Sequence, residues 1–127
     1  RDRPTLDRNY SALIEDLAER ELLDSTLVIL MGEMGRTPKV KPQNGGRDHW
    51  TQCGFIVLTG GGVQRGMVYG RSDRQAAWPV DHPVSSADHV ATVYQLLGID
   101  PHMIVHDRNG RPIPVALDGK PVYDVIA

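Results

Sequence analysis

The uninterrupted apolar run Leu27-Val28-Ile29-Leu30-Met31 constrains this chain more than any other feature. Its side chains follow neither a helical nor an alternating period. The run therefore predicts a strand buried on both faces, as in a parallel sheet covered by helices. It empties into Gly32-Glu33-Met34-Gly35-Arg36-Thr37-Pro38, and a polar loop then closes on Gly46-Arg47-Asp48-His49-Trp50. Acid, base and imidazole groups thus gather past the carboxyl end of a strand, where open α/β sheets place their ligands.

The elements around this run set the fold class. Leu6, Tyr10, Leu13, Leu17 and Leu22 recur at helical spacing, which predicts an amphipathic helix from Thr5 to Glu21 with Thr5 as its cap. The first strand runs from Thr26 to Gly32, and residues 33–52 form a long irregular segment of the kind that carries function. Phe55 to Thr59 predicts a second buried strand, ending in Gly60-Gly61-Gly62. No Gly-Lys-Ser/Thr follows those glycines, so they mark a turn rather than a phosphate cradle. Val63 to Tyr69 suits a short hairpin strand, and Arg71 to Pro83 a surface loop.

Ser85 and Asp88 have the spacing of a capping box, which starts a second helix. Val90, Val93, Tyr94 and Leu97 line its buried face, and Gly98 stops it. The Pro- and Gly-rich tail holds short extended pieces at Ile113–Val115 and Val122–Ile126. The order is that of an α/β chain, part of a layered sheet with flanking helices. Two central strands are too few for a complete doubly wound domain. The chain opens on Arg1-Asp2-Arg3-Pro4 without an initiator methionine, so residues 1–127 are expected to form a single partial domain.

Charge excludes two classes of partner. The 127 residues carry 16 acidic and 14 basic side chains, so neither a nucleic-acid footprint nor a polybasic membrane surface is implied. The longest apolar run is too short to span a bilayer. A single cysteine, Cys53, excludes an internal disulfide and is expected to be a small buried hydrophobe rather than a nucleophile.

The chemistry-bearing residues concentrate in the strand-end loop. Glu33 has two readings, a cation ligand or base, and a loop carboxylate paired with Arg36 or Arg47. His49 is an ordinary zinc-type ligand when neutral, with Trp50 beside it to fix the ring, while a calcium ion would favour the carboxylates. Arg36 and Arg47 match the oxygens of phosphate or sulfate through their guanidinium forks, or else pair with Glu33 or Asp48. Asp48 and His49 are adjacent, so in extended backbone their side chains diverge. His102 and His106 stand four apart, but Ile104 and Val105 between them favour extended structure and an ordinary loop. His82 and His89 have no evident partners. No G-x-S-x-G elbow occurs, and the serines fall in turns and caps.

The segments Leu23–Pro38 and Gly46–Trp50 closely resemble a sulfatase-like bacterial family, the domain of unknown function 1501, within the alkaline phosphatase superfamily. Leu58–Val63, Gly66–Gly70 and Ala91–Asp100 match it further, so the resemblance covers nearly the whole chain. It implies the C-terminal part of an alkaline phosphatase- or sulfatase-like layered domain in a protein about three times longer, exported or periplasmic. Such proteins use two metal ions and a Ser, Thr or Cys-derived nucleophile to cleave or transfer phosphate and sulfate esters.

By that analogy Glu33 and His49 are metal ligands; Arg36, Arg47 and Asp48 are the second choices, as contacts to the substrate. The cofactor is a divalent metal, zinc or calcium. The partners are a small-molecule or glycan ester and the N-terminal half of the same protein. Met34 stands where the superfamily signature has a second histidine, and a thioether does not replace imidazole toward such ions. The resemblance therefore leaves a hydrolase segment incomplete on its own, a non-catalytic module with the same fold, and a phosphomutase-like transferase as the readings to separate.

Overall fold

A computed structural model describes residues 3–127; Arg1 and Asp2, where the chain starts without methionine, lie outside the described residues. The chain is mixed α/β, with two α-helices and, among the described residues, four two-stranded antiparallel sheets. Helix α1 spans Arg3–Glu19. Pro4 sits in its first turn, where the missing N–H is not needed, so Thr5 is helical rather than the cap. The helix ends two residues before Glu21, which takes a positive φ of 57°. Tyr10, Ile14 and Leu17 form its half-buried stripe, and the Tyr10 hydroxyl meets the Thr59 hydroxyl.

The central run forms β1 (Val28–Met31), paired with β4 (Ile56–Thr59). The two are antiparallel, with Val28 opposite Thr59 and Met31 opposite Ile56. This corrects the expectation of a parallel strand covered on both sides. Val28 and Leu30 are half-buried while Ile29 and Met31 are exposed, the alternation of a ribbon with one covered face. Between them lie β2 (Gly35–Arg36) and β3 (His49–Trp50), a short ladder within the segment expected to be irregular.

The glycines after β4 do form a turn. Gly60, Gly61 and Gly62 have φ of 74°, 50° and 82°, a run that L side chains rarely adopt. The Gly61 amide donates to the Leu23 carbonyl at 3.0 Å, which ties this turn to the 3-10 turn preceding β1.

Residues expected as a hairpin strand after the glycines make only a Val63–Ile126 bridge. Conversely, the expected surface loop holds a hairpin, β5 (Arg71–Ser72) with β6 (Pro79–Asp81). Helix α2 spans Ser86–Leu96, and Ser85 with Asp88 makes the expected capping box. Gly98 follows with φ 72°. The tail pairs β7 (Ile104–His106) with β8 (Pro112–Pro114). Instead of an extended piece at Val122–Ile126, a 3-10 turn occupies Tyr123–Val125.

The core is small. Among the described residues its buried hydrophobic side chains are Ala77, Ala91 and Ala116, and no large side chain is fully buried. Two-stranded ribbons cover too little of one another to do more. The chain exposes 9826 Å² for a mass of 14.0 kDa, whereas a folded monomer of that mass exposes about 6,700 Å². Met31, Phe55, Ile56, Ile104 and Val105 contribute to the surplus. Cys53, expected to be buried, is half-exposed.

Candidate functional site

Strand β1 ends at Met31, and two residues later Glu33 stands at the mouth of the β2–β3 ladder. The ladder sets Gly35 opposite Trp50 and Arg36 opposite His49. Only glycine fits at position 35, because a Cβ there would lie 1.6 Å from the Cys53 carbonyl oxygen. This close approach lets the chain fold back so that β3 returns beside the end of β1.

The fold-back brings together the two best metal-ligand candidates of the sequence. His49 Nε2 lies 3.9 Å from Glu33 Oε1. Both side chains remain open to solvent, at 62% and 65% exposure, so neither has been consumed by packing. Two donors each about 2.1 Å from a tetrahedral ion stand about 3.4 Å apart, so the pair would have to close by about half an ångström to share one. Among the described residues no group of three His, Cys, Asp or Glu side chains is arranged to hold a metal. Glu33 and His49 stand as a pair, with no third such side chain beside them among the described residues.

Asp48 points elsewhere, as its adjacency to His49 in an extended segment dictates. Its carboxylate pairs with the Lys41 ammonium, and its amide donates to the Thr37 hydroxyl at 3.1 Å. The Thr37 amide donates back to the Asp48 carbonyl at 2.9 Å, which extends the β2–β3 ladder into the loop. Further out, Lys41 N–H donates to Gly46 O at 2.8 Å and Gly45 N–H to Lys41 O at 2.9 Å. The long polar segment is thus a hydrogen-bonded hairpin arm. Thr37, Lys39, Lys41, Gln43 and Asp48 line an open concavity on it.

Of the two sequence readings of Arg36 and Arg47, the ion pair with Glu33 or Asp48 is not formed among the described residues: Asp48 meets Lys41 and Glu33 faces His49. Both arginines are exposed. Sequence reading missed Lys41, whose only signal was its place in Lys39-Val40-Lys41-Pro42. It also missed the anchor of Trp50, whose indole N–H donates to the Ala77 carbonyl at 2.7 Å.

The remaining histidines lie outside this region. His82 Nδ1 is 2.8 Å from Asp81 Oδ1, and its ring lies 5.1 Å from Tyr69. His89 is half-buried on α2, and burial pushes its pKa below the usual imidazole value. His106 lies in β7, so the His102–His106 spacing does not fall on a helix.

These features define a mixed α/β chain that presents an exposed carboxylate–imidazole pair, flanked by arginines, where a strand gives way to a hairpin arm. The chain belongs to a family described as "Protein of unknown function (DUF1501)", whose model matches residues 1–126. Comparison with curated proteins and with solved structures returns no match. Among the described residues no helix is long and apolar enough to cross a membrane.

Proposed function

We propose that this chain supplies part of a sulfatase-like, metal-dependent hydrolase site for sulfate or phosphate esters. The observation that carries the reading is the approach of Glu33 and His49 beyond the end of β1, exposed and 3.9 Å apart. A carboxylate and a neutral imidazole suit a zinc-type ion, and the donor set present is compatible with one as far as it goes. Once bound, a divalent ion would activate a nucleophile and neutralise charge on the ester oxygens.

This chain's own residues act around that centre. Glu33 contributes negative charge, and His49 donates a nitrogen lone pair from a ring carried on β3. Arg36 and Arg47 present guanidinium forks that match the oxygens of a sulfate or phosphate group. Asp48, held by Lys41, keeps the hairpin arm that carries Arg47 in register. The remaining ligands and the nucleophile come from a complementary polypeptide. The surplus of roughly 3,000 Å² of exposed surface over a folded monomer supports that division.

A second reading, a non-catalytic module that keeps the fold, is favoured by Met34. This half-buried thioether sits next to Glu33 and is a poor ligand for a zinc- or calcium-type ion. Metal analysis of the protein that contains this chain, with assays on an aryl sulfate and an aryl phosphate, separates the two. The hydrolase reading predicts stoichiometric metal, and turnover that falls at least 100-fold in His49→Ala and Glu33→Gln. Bound metal without turnover supports the non-catalytic module. Absence of metal from both the parent and the variants contradicts the hydrolase.

A further inference from the structure

The β3 strand that carries His49 is only two residues long. A two-residue ladder cannot hold a side chain in place by its own hydrogen bonds, because isolated short ribbons are marginal in water. Something outside it must set the position of His49, and the structure contains a suitable brace. Trp50 is half-buried, its indole N–H donates to the Ala77 carbonyl at 2.7 Å, and its ring meets Trp78 edge-on at 5.9 Å.

Ala77 is itself fixed. It is one of the three buried hydrophobic residues, and its amide donates to Asp73 Oδ1 at 2.8 Å. The same carboxylate oxygen accepts from the Gln75 amide at 3.0 Å. The Asp73 amide donates to the Trp78 carbonyl at 2.9 Å, closing the turn between β5 and β6. Ala76 takes φ 54° within that turn, an uncommon conformation that surrounding contacts must impose. Asp73 therefore organises the loop that presents the Ala77 carbonyl to Trp50.

We propose that the Asp73–Trp78 turn is a positioning clamp. Through Trp50, it fixes His49 in register with Arg36 and within reach of Glu33. Asp73 and Trp50 are positioning residues, acting on His49 through the backbone of β3. The inference rests on the metal-ligand reading of Glu33 and His49 for its purpose, but the clamp itself is testable without metal. The two ends of this chain of contacts lie 24 residues apart in sequence, so the arrangement is a tertiary device rather than a local turn.

The test begins with NMR on the metal-free chain. The Trp50 indole proton is expected to exchange slowly, and cross-strand contacts between Arg36 and His49 to be visible. Asp73→Ala should speed indole exchange at least tenfold and remove those contacts, while α2 resonances stay in place. Asp73→Asn keeps an acceptor oxygen and should restore both signals. Trp50→Phe retains the aromatic packing but not the donor, and should also weaken the Arg36–His49 contacts. If Asp73→Ala and Trp50→Phe leave those contacts intact, the clamp is overturned.

Zinc titration of the protein that contains this chain, as parent and with the same substitutions, read at the His49 ring, then links the clamp to binding. Tenfold weaker zinc binding in Asp73→Ala, recovered in Asp73→Asn, supports its role. Zinc binding unchanged in Asp73→Ala, despite a disturbed ladder, contradicts that role. Failure of that parent protein to shift at His49 with zinc counts against the metal-ligand reading, while the metal-free signals still decide the clamp.

Discussion

Helix α2 with the tail behind it, and the hairpin arm beyond β1, use their polar side chains in opposite ways. Around α2 the side chains of Ser85, Asp88 and Thr92 are spent on the fold. Asp88 accepts from the Ser85 amide and hydroxyl and from the Lys120 amide. Thr92, only 2% exposed, donates to the Asp88 carbonyl at 2.7 Å and accepts from the Val122 amide at 2.9 Å. Ala91, Ala116, Gly119 and Pro121 are buried beside it. In the arm, Glu33, Arg36, Arg47 and His49 remain exposed. Polar groups left open to solvent remain free to meet a ligand, and the site proposed above lies among them.

Substitutions on the two sides should separate sharply. Around α2 the largest stability effect is expected at Gly119, where a Cβ would lie 2.0 Å from the Ala87 carbonyl oxygen. Gly119→Val should push the tail off α2 and cost about 3 kcal/mol, read by chemical denaturation. Thr92→Val removes one donor and one acceptor at a site of the same shape and leaves the Val122 amide unpaired. Its expected cost is about 2 kcal/mol. Ser85→Ala deletes the helix cap and should cost about 1 kcal/mol, visible as earlier loss of helical circular dichroism.

Acid provides a finer probe of the same region. Hydrogen bonds from the Lys120 amide first, then from the Ser85 hydroxyl and amide, hold the Asp88 carboxyl below the usual carboxylate range. The folded state therefore binds fewer protons than the unfolded state. The stabilisation is present above about pH 4 and is lost as pH falls through the depressed folded value. Unfolding free energy measured from pH 6 to pH 2 should show this loss, and Asp88→Asn should flatten it. The smallest effect belongs to the arm. Arg36→Ala and Arg47→Ala should each change stability by less than about 0.5 kcal/mol, and a larger change would show that these side chains hold the fold after all.

The same contrast explains what the sequence made legible. The α2 cap, its stop at Gly98 and the glycine turn were readable because each depends on residues within a few positions. Strand β1 was readable as a strand but not in its direction, since five apolar residues say nothing about a partner 25 residues away. Its antiparallel pairing with β4 and its half-exposed face are tertiary outcomes. The β5–β6 hairpin reads as a loop in the sequence because two- and three-residue strands carry no period. At the site, Glu33 and His49 stood out by residue type and setting, and the fold brings them together. The links from Lys41 to Asp48 and from Trp50 to Ala77 are long-range contacts with no local signal.

Titration of the protein that contains this chain with Zn²⁺, followed by NMR, tests most directly whether Glu33 and His49 act as one donor pair. The His49 ring and the Glu33 carboxylate should shift together along one saturable curve. His49→Ala and Glu33→Gln should each abolish that curve, and the double variant should be no worse than either. Shifts at only one of the two residues, or zinc binding that survives both substitutions, would contradict it.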